Sequence, residues 1–125
     1  VDEDAVATQI VDAAVAVHRA LGPGLLESAY LAAMAIEMVE RSLMFEQEVA
    51  IQARYHDRPL GIAYRADLIV EGKVLVEAKS VRDLEEVHVA QTLSYLRLGG
   101  FRLGLLLNFN VPIMKRGIKR IANNL

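Results

Sequence analysis

The chain has 125 residues, 54% of them hydrophobic and 24% charged, which suits one globular core and excludes a disordered polyelectrolyte. Its net charge of −2 by itself points to no nucleic-acid partner. The absence of cysteine excludes disulfides and thiolate metal ligands and fits a reducing compartment.

The N-terminus opens on Asp2, Glu3 and Asp4, the opposite of a basic leader segment, and a cytoplasmic location is expected. From Ala5 to Leu21, Val6, Ile10, Ala13, Ala14, Val17 and Leu21 recur at helical spacing, and Gly22-Pro23-Gly24 ends that helix. A second helix is predicted from about Leu25 to Arg41, with Leu26, Tyr30, Ala33, Met34 and Met38 along one face. Val49, Ile51, Ala53 and Tyr55 alternate with polar residues, which predicts a strand with one wet face. After a turn at Asp57-Arg58-Pro59, two strands follow, Leu60 to Val70 and Lys73 to Lys79, joined by a hairpin signal at Glu71-Gly72. Asp83 is the predicted cap of a helix reaching about Leu98, with Glu85 and Glu86 in its first turn.

Gly99-Gly100 ends that helix, and Phe101 to Asn108 reads as a buried strand. The densest apolar run, Leu103 to Val111, contains Gly104, Asn108 and Asn110 and falls far short of the roughly 20 residues of a membrane-spanning helix. Pro112 precedes a short basic helix at the C-terminus. The order α, α, β, β, β, α, β, α, without repeat or linker, predicts a single α/β domain over 1–125, a mixed sheet flanked by helices. The apolar content leaves a homodimer open.

Charge is unevenly distributed. Residues 1–50 hold nine acids and two bases, whereas residues 51–125 hold seven acids and twelve bases. Lys115, Arg116, Lys119 and Arg120 fall in a segment with no acid. A phosphate backbone would be drawn to that half and repelled by the other; a solvated basic helix end is the plainer alternative.

The residues that carry chemistry lie on the middle strands. Glu77 and Lys79 are two apart on a strand and share a face. Asp67 lies on the neighbouring strand, so two carboxylates can converge on one hard cation such as Mg²⁺ or Mn²⁺, with an ammonium beside it. The alternative is a salt-bridged strand residue. Register separates the two. A two-residue turn at Glu71-Gly72 sets Asp67 opposite Val76 and turns it away from Glu77; a three-residue loop, or a bulge, sets it opposite Glu77. On the next helix, Gln91 and Tyr95 are four apart and share a face, as do Glu27 and Tyr30 on the second helix; each pair alone also fits packing and surface. His18, His56 and His88 carry weaker signals: His88 is a phosphate or metal candidate, and His56 falls in a turn.

Gly24-Leu25-Leu26-Glu27-Ser28-Ala29-Tyr30 resembles the signature of the GxxExxY proteins, within the PD-(D/E)xK nuclease superfamily. Tyr64-Arg65-Ala66-Asp67, Val76-Glu77-Ala78-Lys79, Tyr95-Leu96-Arg97, Asn108-Phe109-Asn110-Val111-Pro112 and Gly117-Ile118-Lys119-Arg120 extend the likeness over most of the chain. Gln91-Thr92-Leu93-Ser94-Tyr95 is similar to the Q-x-x-x-Y motif of the RecB-like branch. Ala66 stands where the superfamily's name has proline, a position outside the chemistry.

The resemblance implies a restriction-endonuclease-like αβββαβ core, here with an extra N-terminal helix and a short C-terminal helix. It implies Asp67, Glu77 and the backbone carbonyl of Ala78 as metal ligands and Glu27 as a direct or outlying carboxylate. Lys79 would act on the attacking water, and Gln91 and Tyr95 would position substrate or Lys79. The implied activity is Mg²⁺- or Mn²⁺-dependent hydrolysis of DNA or RNA. Its rivals are a catalytically silent nucleic-acid-binding module of the same fold and a purely associative domain.

Overall fold

The structure is a computed structural model, and it describes residues 2–125. Two helices lead, α1 (Glu3–Leu21) and α2 (Glu27–Glu40). Asp2 caps α1, its carboxylate accepting from the Ala5 N–H at 2.8 Å and satisfying one of the donors a helix start leaves unpaired. Three strands follow, β1 (Phe45–Tyr55), β2 (Arg58–Val70) and β3 (Val74–Lys79). The crossover helix α3 (Glu86–Gly99) leads to β4 (Leu103–Asn108), and β5 (Ile118–Ala122) closes the chain.

The sheet runs β1-β2-β3-β4-β5, with only β3 and β4 parallel. Their connection passes through α3, as a parallel pair requires. Helices cover both faces, which is why β4 is buried along its whole length. On one face Ile10, Ala14, Met34 and Met38 of α1 and α2 pack on Leu68, Val70, Val76 and Leu105. On the other, Leu96 of α3 packs with Ile69, Leu75 and Leu106.

The hairpin between β2 and β3 takes the longer of the two loops weighed from sequence. Val70 pairs with Val74 and Leu68 with Val76, so the loop is Glu71, Gly72 and Lys73. The Lys73 N–H donates to the Val70 carbonyl at 3.0 Å, and Glu71 and Gly72 both adopt positive φ, 54° and 63°, which glycine does without strain. Continuing that register sets Asp67 opposite Glu77.

Several boundaries differ from the sequence-based expectation; β1 begins at Phe45, ahead of the alternation from Val49. The β1–β2 turn is His56-Asp57, both at positive φ, 51° and 60°, and Arg58 and Pro59 already belong to β2. The residue preceding α3 is Glu85 rather than Asp83; the Glu85 N–H donates to Nδ1 of His88 at 2.9 Å. The C-terminal helix is only a 3₁₀ turn, Met114–Gly117, after which Ile118–Ala122 pairs antiparallel with β4. The edge of β4 would otherwise leave a row of backbone groups unpaired, and a fifth strand satisfies them.

Strand alternation breaks at one level of the sheet. Leu68 and Val70 of β2 face α1 and α2, yet Tyr64 and Ala66, of the same parity, face α3. On β1, Phe45 faces α1 and α2 while Val49 faces α3. The inversion falls at Asp67 on β2 and around Glu48 on β1, where Glu48 has φ 51°. A side-chain period of two cannot change sides without such an irregularity. Beyond it, Val49, Ile51, Tyr64 and Ala66 pack in the cluster on the α3 side of the sheet.

Candidate active site

At the level of this break the β2–β3 ladder ends, and side chains replace its last rungs. The Asp67 N–H donates to Oε2 of Glu77 at 3.0 Å, and the Ala78 N–H donates to Oδ2 of Asp67 at 2.9 Å. The exchange brings the two carboxylates together. Glu77 is 7% exposed, and its pKa is pushed from 4.5 up to about 8. Burial is the main cause, followed by the charge of Asp67 and a hydrogen bond between the two acid groups; the Asp67 N–H and the charge of Lys79 offset part of it. Two oxygen donors this close, one pushed toward its neutral form by burial and then by its neighbour's charge, suit a hard divalent cation.

In an extended strand the N–H and C=O of one residue project to the same side. The Ala78 N–H points at Asp67, so the Ala78 carbonyl opens into the same gap as the carboxylates. Lys79 follows on the strand face of Glu77, half-buried. Among the described residues it takes part in no salt bridge, although its charge acts on Glu77.

Glu27 lies beside the carboxylate pair rather than in it. Its Oε2 accepts from the Ser80 N–H at 3.3 Å, and no cluster of three or more acidic or histidine side chains with metal-holding geometry occurs among the described residues. The segment following Lys79 is held from several sides. The Ser80 hydroxyl donates to the Leu25 carbonyl at 2.6 Å, and the Phe109 N–H donates to the Lys79 carbonyl at 3.0 Å. Asn108, 2% exposed and opposite Lys79 in register, accepts from Val81 N–H at 3.1 Å and donates to Val81 C=O at 2.9 Å. Gly117 permits this arrangement: a Cβ there would stand 2.0 Å from the Asn108 carbonyl oxygen.

Tyr30 fixes the loop that carries Leu25. Its hydroxyl donates to the Gly22 carbonyl at 2.6 Å and accepts from the Leu25 N–H at 3.1 Å, while its ring stacks on Phe109 with centroids 4.5 Å apart. Tyr95 stands by the carboxylates, and Glu77 and Asp67 add to burial in raising its pKa. It stacks on Tyr64 at 3.5 Å, and the Tyr64 hydroxyl donates to the Tyr95 carbonyl at 3.1 Å. The Tyr64 pKa is raised too, by burial and then by Glu77.

Gln91 is exposed, with no side-chain hydrogen bond among the described residues. His88 serves the start of α3, and Nε2 of His18 donates to the Val111 carbonyl at 2.7 Å. Arg120 pairs with Asp4 at the start of α1. Lys119 lies beside Leu84 and Glu86, so the C-terminal bases form no single helical face.

Tyr64, Ser80 and Asn108 carry no role in the sequence-based expectations. Asn108 had a visible signal, a polar side chain ending the apolar run Leu103–Leu107. Tyr64 had only its place in the Tyr64-Arg65-Ala66-Asp67 likeness, because an unbroken alternation puts it on the wrong face.

A strand-end pair of carboxylates followed by a lysine, on a mixed sheet between helices, defines an α/β domain with a site suited to a hard cation. A family model described as the PD-(D/E)XK nuclease superfamily matches residues 4–121, and the chain belongs to that superfamily. Its members are generally nucleases that act on nucleic acid and typically use divalent metals. Neither the curated proteins nor the solved structures gave a match. No helix among the described residues is long and apolar enough to cross a membrane.

Proposed function

We propose that this chain is a Mg²⁺- or Mn²⁺-dependent nuclease of the GxxExxY type, allied to the RecB-like branch, that hydrolyses phosphodiester bonds in DNA or RNA. The observation that carries the proposal is the pair of bonds where the β2–β3 ladder ends, Asp67 N–H to the Glu77 carboxylate and Ala78 N–H to the Asp67 carboxylate, with Lys79 on the same face outside any salt bridge among the described residues. Asp67, Glu77 and the Ala78 carbonyl would hold the cation. When bound, it supplies Lewis-acid stabilisation of the charge that develops on the phosphate.

The remaining roles belong to the chain's own groups. Lys79 directs its ammonium at the attacking water and at the developing oxyanion. Glu27 holds the Ser80 amide and so fixes the backbone that carries Lys79. Tyr95 borders the site against Glu77, and exposed Gln91 is available to substrate on the same helix. The testing experiment is cleavage of DNA and RNA substrates with Mg²⁺ and Mn²⁺, wild type against Lys79→Ala. Cleavage is expected to vanish in the variant while affinity stays within a few-fold. A wild type that binds nucleic acid and cuts none of it favours the silent binding module.

A further inference from the structure

We infer that residues 49–66 are a gripping arm for double-stranded DNA; the inference rests on the nuclease reading and names its substrate class. β1 and β2 pair from Phe45 and Val70 out to Tyr55 and Arg58, whereas β3 pairs with β2 only from Leu68 to Val70. From Ala66 outward the sheet is therefore a two-stranded ribbon that projects past Lys79. Its inner side rests on the α3 core through Val49, Ile51, Tyr64 and Ala66. Asp67 stands at its root, so a duplex lying along the ribbon passes the carboxylates.

Charge selects the partner. The ribbon carries Arg54, Arg58 and Arg65, all exposed, and one acid, Asp57, in a chain whose net charge is −2. None of the three arginines joins a salt bridge among the described residues, in contrast to Arg41, Arg82 and Arg120. Guanidinium forks match phosphate oxygens.

Aromatic pairing selects the form of the nucleic acid. Single-strand binders offer free rings on which bases stack. Here Tyr64 and Tyr95 stack on each other, Tyr30 stacks on Phe109, and Phe45 and Phe101 pack against the two cores; exposed Tyr55, edge-on to His56, is a single ring rather than the row of free rings a single strand needs. A two-stranded ribbon fits the major groove of B-DNA, whereas the groove of duplex RNA is too deep and narrow for it. A second copy of the chain is the competing occupant, since Leu60 and Ile62 are exposed. Pro59 and the register shifts at Ile51/Gln52 and Ala53/Arg54 work against strand-to-strand association.

The experiment is fluorescence anisotropy of the full chain in EDTA, with a short DNA duplex, its single strand and the matching RNA duplex as probes. The DNA duplex is expected to bind tightest. Arg58→Ala/Arg65→Ala spares Arg54, which donates to the Asp57 carbonyl in the turn. The double variant should flatten the salt dependence by roughly 2 units and remove about a tenfold share of the weakening between 50 and 200 mM salt. The matching double lysine variant should restore the wild-type slope, with all melting temperatures unchanged. Single strand binding as tightly as duplex, or an unchanged slope in the alanine variant, overturns the arm. Tight RNA duplex binding overturns the DNA assignment, and a concentration-dependent dimer lost on Leu60→Lys/Ile62→Lys awards the ribbon to a second copy. Failure of the nuclease reading looks different: arm-dependent duplex binding with no cleavage in Mg²⁺ or Mn²⁺ leaves the arm standing.

Discussion

Replacing Glu77 by glutamine should stabilise the metal-free protein at alkaline pH and leave it nearly unchanged in acid. The Glu77 pKa rises from 4.5 to about 8 on folding, so the folded state binds a proton that the unfolded chain has already released. Relative to its acid limit, the folded protein therefore loses stability as pH climbs from about 4.5 to about 8, and it levels off above that. At 1.36 kcal/mol per unit, the loss at pH 8 is at most about 4 kcal/mol, with water entry reducing it. Glutamine has nearly the same shape, its carbonyl still accepts from the Asp67 N–H, and its amide can donate to the Asp67 carboxylate. Urea unfolding in EDTA at pH 5 and pH 8.5 reads the difference. The variant should match wild type within about 1 kcal/mol at the lower pH and exceed it by about 2–4 kcal/mol at the higher. Adding Mn²⁺ at pH 8.5 should raise wild type more than the variant, by mass action on the folded state. A variant less stable than wild type at both pH values would refute the assignment of Glu77 as a buried acid strained by its neighbour.

Three other outcomes follow from the same geometry. Asp67→Asn should lose cleavage and Mn²⁺ affinity together, read by activity and by the shift in melting temperature that Mn²⁺ produces. Glu27→Gln keeps an acceptor for the Ser80 amide and should retain most activity and full Mn²⁺ affinity, whereas Glu27→Ala should lose activity and about 1 kcal/mol of stability; loss of Mn²⁺ affinity in Glu27→Gln would make Glu27 a ligand instead. Gly117→Ala forces a Cβ against the Asn108 carbonyl and should cost about 3 kcal/mol, a fall of roughly 10 °C in a thermal melt.

Where local chemistry and geometry agree, the sequence was readable. A period of two puts Glu77 and Lys79 on one face, but the sequence left the register of Asp67 open, and only the three-residue loop Glu71-Gly72-Lys73 seen in the structure sets it opposite Glu77. Other elements depend on contacts that no local window contains. Ile118 and Ile121 are three apart and fit a helix as well as a strand; the exposed edge of β4 decides for the strand. Asp83 and Glu85 are both acids ahead of a helix, and the choice falls to the reach of His88. Tyr64 joins the site only because β2 changes faces at Asp67, an irregularity set by its neighbours on both sides.

The exchange at the end of the β2–β3 ladder also gives the molecule two internal spectroscopic probes. The amide protons of Asp67 and Ala78 each end on a carboxylate of the pair, so their nitrogen and proton resonances report directly on what those oxygens hold. A proton leaving Glu77, or a cation drawing both acids toward itself, must weaken or redirect these bonds before any strand moves. Two cross-peaks in an NMR spectrum can thus follow the charge state of the site without a label, a substrate or turnover.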